Sequence, residues 1–384
     1  MIEKINKIRS LLLPKKRQII RLNPERASQG CVVISYITWP FVEGVDSPKM
    51  RGHTNAYEVT VMARVFLDLG FRVEVCDYDD EAYRPPQDCR VAIDIHGNLE
   101  RWELPEGCKK ILHATGPHWL MWNHAELSRL IGVRERHGVA LTPQRHVKPS
   151  RGVEVADEVV VLGNEFTRET FSFAGKPVTR VPISSAYEFA WPEGRDFERA
   201  KKKFLWVGSY GMVHKGLDLA LDAFMAMSDL ELTVCGRPEK EADFFRLYER
   251  HLKQTPNIKL HGWLDMATSD FLEIARTHAA VIYPSSAEGG AGSVIHCMHA
   301  GMLPICTREA SIDLGDFGIH VESATVEAVQ KGCRAVAGMS ASEVEARARL
   351  AYNNVKKEHV RDVFQENYQK FAERVTAGLG CCLV

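Results

Sequence analysis

The sequence from residue 279 to residue 293 reads AAVIYPSSAEGGAGS, and it decides the class of fold that we expect. Its first part, Ala279–Tyr283, is a short apolar run of the kind that forms a buried strand. Its second part is rich in glycine and leads into a helical pattern over Ser293–His299. A strand that turns through glycines into a helix is the repeating unit of parallel α/β sheets, so we expect such a sheet here.

The same alternation extends in both directions from this stretch. Beyond residue 200, further strand patterns occur at Lys203–Val207, Glu231–Cys235, Asn257–Leu260 and Leu303–Cys306. Before residue 190, a similar series occurs at Cys31–Ile37, Arg72–Cys76, Val91–Ile95, Lys110–His113, Glu158–Leu162 and Val178–Pro182. Two such series predict two doubly wound α/β domains, with the polar stretch Ser184–Lys203 as the linker.

We therefore expect four parts of the chain. They are a basic N-terminal arm (1–29), an N-terminal Rossmann-like domain (30–190), a C-terminal Rossmann-like domain (200–345) and C-terminal helices (346–384). For the C-terminal helices, packing back on the N-terminal domain is one arrangement. Parallel sheets bind ligands at the carboxyl ends of their strands, so a cleft between the two domains is the expected site.

Composition excludes several classes of protein. The 384 residues include 49 basic and 50 acidic side chains, a balance that argues against a protein whose main work is to coat nucleic acid. Hydrophobic residues make up 45% and charged residues 26%, which excludes a disordered chain. The ten cysteines form no CxxC pair and are expected to be reduced thiols of a cytoplasmic protein.

The first 29 residues carry eight basic and two acidic side chains. Ile2, Ile5, Ile8 and Leu12 would form an apolar stripe on a helix. Such a segment is compatible with peripheral contact at the inner membrane surface. A solvated arm is the interpretation that we favour, because charge runs usually form solvated faces.

Two loops that follow predicted strands are the main candidates for chemistry. In Gly208–Gly216, Lys215 stands at a helix start, where it can hold a phosphate, although the spacing is not that of a P-loop. In Ser285–Ser293, the small residues leave backbone amides free to face an anion. Glu288 would repel that anion, but it can accept a hydrogen bond from a sugar hydroxyl beside it. The structural alternatives are a solvated lysine in a turn and an acidic helix cap.

Two further loops are weaker candidates, and neither indicates a metal ion. His113 ends a predicted strand, so it either points into the cleft or is a structural histidine, and Gly52 lies shortly before the first helix. The spacing of His113, His118 and His124 does not match a zinc site. The acidic run Asp77–Asp80 contains a DxD pattern, which we interpret as a solvated loop. We therefore expect no metal site.

Together these residues resemble the glycosyltransferases of family 4, which have the GT-B fold of two Rossmann-like domains facing across a cleft. The loop from Gly208 to Gly216 resembles the family's G-R-x5-K-G motif at equal spacing. Residues 233–236, 257–262 and 283–305 resemble its strand ending in glycine, its N-V-x-F-x-G segment and its long acidic–glycine motif. The resemblance covers residues 200–375 well, whereas the N-terminal half matches mainly in layout, through Gly52, Ile95–His96 and His113.

The resemblance implies an enzyme that moves a sugar, of hexosyl type, from a nucleotide-diphosphate sugar to a carbohydrate, lipid-linked or small-molecule acceptor. It also implies retention of anomeric configuration and neither a cofactor nor a metal. Lys215 would contact the diphosphate, Glu288 the donor sugar, and His113 the donor sugar from the other domain. The implied catalytic residues are therefore His113 and Glu288. The implied donor-binding residues are Gly52, Gly208, Ser209, Lys215, Gly289, Gly290, Gly292, Ser293 and His296.

Two positions depart from the family pattern. Ser209 stands where the family has arginine, so one charge partner of the diphosphate is missing unless Arg237 or Arg308 supplies it. His296 stands where the family has a second glutamate, which usually holds the ribose. These departures keep two alternatives open: a non-catalytic nucleotide-sugar-binding protein, and a sugar-nucleotide epimerase or hydrolase. A dehydrogenase is disfavoured, because no GxGxxG follows the first strand.

Overall fold

The computed structural model describes residues 18–26, 28–43, 47, 50 and 52–379, and in these residues it contains two β-sheets. The first sheet has the strand order β1-β3-β2-β4-β5-β6-β7. Its strands are β1 (Ile20–Leu22), β2 (Cys31–Tyr36), β3 (Arg72–Asp77), β4 (Cys89–Asp94), β5 (Lys109–Ala114), β6 (Glu158–Leu162) and β7 (Val178–Val181).

The second sheet has the strand order β10-β9-β8-β11-β12-β13. Its strands are β8 (Lys203–Val207), β9 (Glu231–Cys235), β10 (Ile258–Gly262), β11 (Ala280–Tyr283), β12 (Leu303–Thr307) and β13 (Ile319–Val321). All of its pairings are parallel, and in the first sheet β1 alone pairs antiparallel. The strand order reverses between β2 and β4 and again between β8 and β11, and each reversal opens a crevice at the carboxyl ends of the strands.

Helices connect the strands. They are α1 (Pro40–Glu43), α2 (Thr54–Asp68), α3 (Trp119–His137), α4 (Gly152–Val155), α5 (Glu165–Glu169), α6 (Phe197–Ala200), α7 (Leu217–Met225), α8 (Ala242–Gln254), α9 (Ser269–Thr277), α10 (Gly292–His299), α11 (Val326–Gly338), α12 (Ala341–Glu358) and α13 (Arg361–Thr376). None of the helices in the described part of the chain has the length and apolarity needed to cross a membrane.

The inner strands are buried on both faces, as their composition predicts, whereas the edge strands β1 and β10 are partly exposed. All six residues of β2 and all five of β6 are buried, which is why these strands read as continuous apolar runs. The predicted fold class, two doubly wound α/β domains, is confirmed. The domain boundaries drawn from the sequence stay predictions.

The described part of the predicted N-terminal arm contains a strand. Ile20 and Leu22 pack on the core of the first sheet, Arg21 points outwards, and Ile20 pairs with Val75 of β3. The charge pattern predicts a solvated arm over this stretch, because a strand of three residues is too short to produce a recognisable alternation of apolar and polar side chains. The apolar stripe proposed for residues 2–12, and with it the membrane contact, lies outside the described residues.

The long helix α3 was not predicted from the sequence. Its buried side carries the polar residues Asn123, Glu126 and Arg129, while Leu127 and Ile131 are exposed. Because apolar residues lie on both sides, the segment shows no single apolar stripe of the kind that marks a surface helix. Its second half packs into the core of the second sheet, so this helix joins the two domains.

The last helix, α13, returns to the first sheet. Phe364, Tyr368 and Phe371 are buried in the core formed by that sheet and α2. The ring of Phe364 stacks on Tyr368, with ring centroids 5.7 Å apart, and contacts Tyr57 of α2 edge-on. Residues from the end of the chain therefore complete the core that its beginning forms.

We expect the substitution Phe364→Ala to destabilise the first domain by about 3–5 kcal/mol, because it leaves a cavity in a filled core. Chemical denaturation would measure the loss, and hydrogen exchange would locate it through faster exchange of the amides of α2. The matched control is Leu350→Ala on α12, where the side chain is 54% exposed and the expected change is small. Equal effects of the two substitutions would contradict the docking of α13.

Candidate functional site

A cleft of about 640 Å³ lies at the carboxyl ends of the strands. The larger part of its wall comes from segments that follow β2, β4 and β5 of the first sheet, and from the loop between α3 and α4. The loop after β11 supplies Glu288, Gly289 and Gly290, and the loop after β8 supplies Tyr210. The cleft therefore joins the strand-order reversals of both sheets, where ligands of such folds bind.

The loops after β8 and β11 are held together as one unit. A Cβ on Gly216, whose φ is +73°, would lie 2.3 Å from the carbonyl oxygen of Pro284, so only glycine fits there. The amide of Ser286 donates to the carbonyl of His214 at 2.7 Å, and the His214 ring donates from Nε2 to the carbonyl of Ala287 at 2.6 Å. The backbone of each loop is thus fixed by the other.

A buried ion pair lies between these two loops. The Nζ of Lys215 donates to Oε1 of Glu288 at 2.7 Å and to the hydroxyl of Tyr283 at 2.8 Å. The Tyr283 and Ser285 hydroxyls donate to the same oxygen at 3.2 and 3.3 Å. All of the carboxylate's contacts with described residues use Oε1, and since Glu288 lines the cleft, Oε2 is the oxygen left for a ligand.

Charge keeps Glu288 ionised at this buried position. Burial acts to raise the pKa of its carboxyl, but attraction to Lys215, His214 and Arg145 outweighs burial and lowers the pKa to about 2. Burial also lowers the pKa of His214 to about 4, so that imidazole is neutral at neutral pH. The pair therefore presents a carboxylate, and not a carboxylic acid, to the cleft.

The two consecutive glycines of the loop after β11 allow the domains to touch. A Cβ on Gly289 would lie 2.0 Å from the carbonyl oxygen of Thr115, which follows β5. Gly290 has a φ of +92°, and its Cβ would lie 2.8 Å from the side chain of Ile183. The sequence predicts these glycines as part of an anion-binding loop, and the structure shows that they also allow the close approach of the first domain.

The backbone amides of this loop are only partly available to a ligand. The amide of Glu288 donates to Glu309 O at 2.9 Å, and the amide of Ala291 donates to Ala310 O at 3.0 Å. Between residues 289 and 293, the amides without a hydrogen-bond partner among the described residues are those of Gly289, Gly290, Gly292 and Ser293. Gly292 and Ser293 open α10, where the first amides of a helix have no acceptor within it. The predicted anion cradle therefore has four donors, without Ala291.

His113 lies on the far side of β5 from the cleft. Its neighbours Leu112 and Ala114 line the cleft, and successive strand residues point to opposite faces, so the imidazole points into the core. There its ring contacts Tyr36 and Tyr368, with centroids 5.9 Å away in both cases, and burial lowers the pKa of His113 to about 4. This arrangement does not support the predicted contact of His113 with the donor sugar.

His296 holds the linker between the domains. Its Nε2 accepts a hydrogen bond from the amide of Ala186 at 3.0 Å, and burial lowers its pKa to about 3, so the ring is neutral. The ring nitrogen that would accept a ribose hydroxyl is therefore already used. The structure therefore does not support the predicted donor-binding role of His296. It shows instead that His296 positions the linker.

The other predicted residues that lie outside the cleft wall are Gly52, Gly208, Ser209, Lys215, Gly292 and Ser293. Gly208 is buried, and its amide donates to the carbonyl of Cys235 at 3.0 Å. Ser209 is exposed, and Gly52 is exposed just before α2. Lys215 itself lies behind Glu288 rather than on the wall. The ligand contacts of these residues stay predictions.

Neither arginine suggested as a replacement for the one missing at Ser209 reaches the cleft wall. Arg237 stacks over the ring of Trp263 at 4.6 Å, and Arg308 forms an ion pair with Glu169. Arg237 is therefore held within the second domain, and Arg308 is held by Glu169 of α5. The predicted substitution by Arg237 or Arg308 is therefore not supported.

The sequence did not point to three charged residues of the cleft wall, which are Glu58, Arg145 and Lys148. Arg145 lies in the loop between α3 and α4, which carries no motif. Glu58 lies on α2, 1% exposed, and its Oε1 accepts hydrogen bonds from the amide and hydroxyl of Ser184, both at 3.1 Å. Burial raises the pKa of Glu58 to about 7. An acidic residue beside Val59, on the buried side of a predicted helix, was the available signal for Glu58.

The DxD pattern has a structural contact. The carboxylate of Asp77 accepts hydrogen bonds from the amide and hydroxyl of Thr38, both at 2.9 Å, and so ties the loop after β2 to β3. Within the described ranges, no three His, Cys, Asp or Glu side chains are grouped so that they could hold a metal ion.

Solved structures share this architecture. A sucrose-phosphate synthase from Thermosynechococcus elongatus superposes with a TM-score of 0.59 and 12% identity, over 92% of this chain and all of its own. The WaaG glycosyltransferase of lipopolysaccharide biosynthesis superposes with a TM-score of 0.53 and 15% identity, over 91% of this chain and all of its own. Anabaena HepE, solved with UDP and glucose, gives 0.55 and 10%, over 91% and 99% of the two chains. At these identities the likeness shows the fold.

Sequence similarity locates the family in the second domain. Residues 201–337 match the model of the family Glycosyl transferases group 1. The second domain of this chain is therefore similar to the group 1 glycosyltransferases, and the chain as a whole has the GT-B fold. The matched range begins just before β8 and ends in α11, so it contains Lys215, Glu288 and the glycine loop. No curated protein sequence is significantly similar to this chain.

We expect Lys215→Met to destabilise the protein by about 3–5 kcal/mol, because it leaves Glu288 charged and buried without its cation. The double variant Lys215→Met, Glu288→Gln removes both charges and should recover most of the loss. Thermal and denaturant unfolding would measure both. The matched control is Lys253→Ala, which breaks an exposed pair with Glu249 and should cost at most about 1 kcal/mol. A double variant as unstable as the single one would contradict the pairing.

We expect the stability contributed by Glu58 to depend on pH. Its pKa rises from 4.5 to about 7 on folding, so the folded state binds the proton more tightly. The contribution is therefore full below pH 4.5 and is lost as the pH rises through about 7. Relative to the wild type, Glu58→Gln should gain about 3 kcal/mol between about pH 4.5 and about pH 8. The exposed variant Glu249→Gln should show a constant difference, and the same constancy for Glu58→Gln would contradict the shift.

Proposed function

We propose that this chain is a glycosyltransferase that moves a sugar from a nucleotide-diphosphate sugar to an acceptor held against the first domain. The observation that carries the proposal is the buried pair Lys215–Glu288, which lies where the loops after β8 and β11 meet and presents a carboxylate oxygen to the cleft. The UDP and glucose bound to Anabaena HepE, which shares the fold, support a donor of this class.

The reaction requires stabilisation of a leaving diphosphate, on which negative charge grows as the glycosidic bond breaks. Preset donors that point at the place where charge develops lower such a barrier. The free amides of Gly289, Gly290, Gly292 and Ser293 are donors of this kind, and the N-terminus of α10 adds its dipole. The predicted contact of Lys215 with the diphosphate would use its third N–H bond, because Glu288 and Tyr283 take the other two and Lys215 lies behind Glu288 in this structure.

Glu288 would act on the donor sugar. Its pKa of about 2 keeps it ionised, so it accepts hydrogen bonds and does not donate a proton. We propose that Oε2 accepts a hydrogen bond from a sugar hydroxyl and fixes the sugar beside the amides. His113 has no part in this proposal, because its ring faces away from the cleft. Retention of anomeric configuration and independence from a metal ion complete the proposal, on the strength of the resemblance.

The acceptor side of the cleft favours a carbohydrate. Trp119 lines it together with the polar side chains His96, His118 and Lys148. Aromatic faces pack on the apolar faces of sugar rings, and polar groups bind their hydroxyls. A lipid-linked carbohydrate and a cytoplasmic location stay predictions, as does contact with a membrane.

The first experiment is a thermal-shift panel of UDP, GDP, ADP, CMP and TDP, followed by product analysis with the sugar nucleotides of the best base. A nucleotide at about 100 times its dissociation constant should stabilise the enzyme by about 2.7 kcal/mol. We expect a glycosylated acceptor, unchanged by EDTA and with the anomeric configuration of the donor. Glu288→Gln and Lys215→Ala should each lower the rate of transfer by about 10²- to 10³-fold, and Lys253→Ala should not.

Four outcomes would contradict this proposal in whole or in part. Free sugar as the only product, in the presence of acceptors, would indicate a hydrolase, and an epimerised sugar nucleotide would indicate an epimerase. Unimpaired transfer by Lys215→Ala would show that the ion pair takes no part in catalysis. Activity lost in EDTA and restored by a divalent cation would overturn metal independence while leaving the donor class intact.

A further inference from the structure

The donor loops lack an uncompensated positive charge. Lys215 is their buried cation, and Glu288 neutralises it at 2.7 Å, so the pair as a whole is close to neutral. Ser209 contributes no charge, and Arg237 and Arg308 are engaged elsewhere. A leaving diphosphate carries several negative charges, and neutral donors alone stabilise it less well than donors assisted by a cation.

Arg145 is an arginine on the cleft wall whose charge attracts Glu288 but which forms no ion pair with a described residue. Its guanidinium lies 4.5 Å from the ring centroid of Tyr210 and 5.3 Å from that of Trp122. It makes no ion pair with any described residue, and its Nε is buried without a hydrogen-bond partner there. A guanidinium stacked on aromatic faces keeps its in-plane N–H groups free, and these groups match two oxygens of a phosphate.

Helix α3 fixes the backbone on either side of Arg145. The Glu126 carboxylate accepts hydrogen bonds from the amides of Gln144 and Arg145 at 2.9 and 2.8 Å. The Trp122 indole donates to the carbonyl of Arg145 at 2.6 Å. Asn123 accepts a hydrogen bond from the amide of Val147 at 2.9 Å and donates one to the carbonyl of Val147 at 2.8 Å. These contacts explain the buried polar side of α3 and place Arg145 before any ligand arrives.

The same loop is attached to the second domain. The amide of Thr142 donates to Asp243 at the start of α8, at 2.7 Å. A Cβ on Gly211, in the loop after β8, would lie 2.6 Å from Cγ of Arg145, so the glycine makes room for the arginine. Arg145 follows the first sheet in sequence, but it is bound to the domain that carries Lys215 and Glu288.

We propose that Arg145 binds the diphosphate of the donor and supplies the positive charge that Ser209 lacks. The arginine packs on the loop after β8, the loop in which Ser209 lies, and lines the cleft together with Glu288, Gly289 and Gly290. The inference rests on the proposed function, since it assigns a residue to the same donor site. It also identifies the ligand chemistry of that residue as a pair of linked phosphates.

The test compares nucleotide affinity in the wild type, Arg145→Gln and Arg145→Lys by calorimetry, with the nucleoside diphosphate that best stabilises the wild type and with its monophosphate. We expect Arg145→Gln to weaken the diphosphate at least about tenfold and the monophosphate less. Arg145→Lys should recover part of the affinity, because it keeps the charge without the fork. The matched control is Arg349→Gln, which removes another stacked arginine, over Trp191, outside the cleft, and should bind as the wild type does.

Each outcome has a defined meaning. If the wild type binds the diphosphate and Arg145→Gln binds it equally well, this inference is wrong and the proposed function stands. Equal losses for diphosphate and monophosphate would reduce Arg145 to a structural residue and would also overturn the inference. If the wild type binds no nucleoside diphosphate, both proposals fail. Should Arg145→Gln not fold, Tyr210→Ala removes the stacking face from an exposed position and should weaken the diphosphate selectively.

Discussion

The buried ion pair of Lys215 and Glu288 is the interaction on which the rest of the site depends. Two charges removed from water cost several kcal/mol each unless they meet with good geometry. That requirement forces the loops after β8 and β11 into contact, and Gly216 has no Cβ because the carbonyl of Pro284 occupies its place. The pair fixes where the carboxylate enters the cleft, and because the pair is close to neutral, the proposed diphosphate site takes its cation from Arg145.

The two domains share elements more than their order in sequence suggests. Helix α3 follows the fifth strand of the first sheet, but its second half packs in the core of the second, and Arg136 at its end pairs with Asp218 and Asp222 of α7 at 2.6 and 2.8 Å. The glycine loop in turn touches the backbone that follows β5. The wall of the cleft is therefore built from both domains, and the position of a residue in the sequence does not show which domain that residue packs against.

How far the sequence predicts this structure depends on the range of the contacts involved. The bounds of β6, β8 and β9 follow to the residue from continuous apolar runs, because both faces of these strands are buried. Lys215 and Glu288 could be found because they stand in local strand–loop–helix patterns. Arg145 could not, since its place depends on Trp122 and Glu126, which lie some twenty residues away on a helix without an apolar stripe. The orientation of His113 follows from alternation along β5 once the cleft face is known, but the sequence alone does not identify that face.

The chain crosses between its two domains twice, and the crossings lie side by side. The imidazole of His359, just before α13, donates from Nδ1 to the carbonyl of Ile183 in the linker at 3.0 Å. Neither half is a contiguous module, because a cut near residue 200 would strip Phe364, Tyr368 and Phe371 from the core of the first sheet. The same cut would remove the second half of α3 from the core of the second sheet. Recombination that exchanges the second domain intact therefore has to respect both connections and also the segment from α3 that packs in its core.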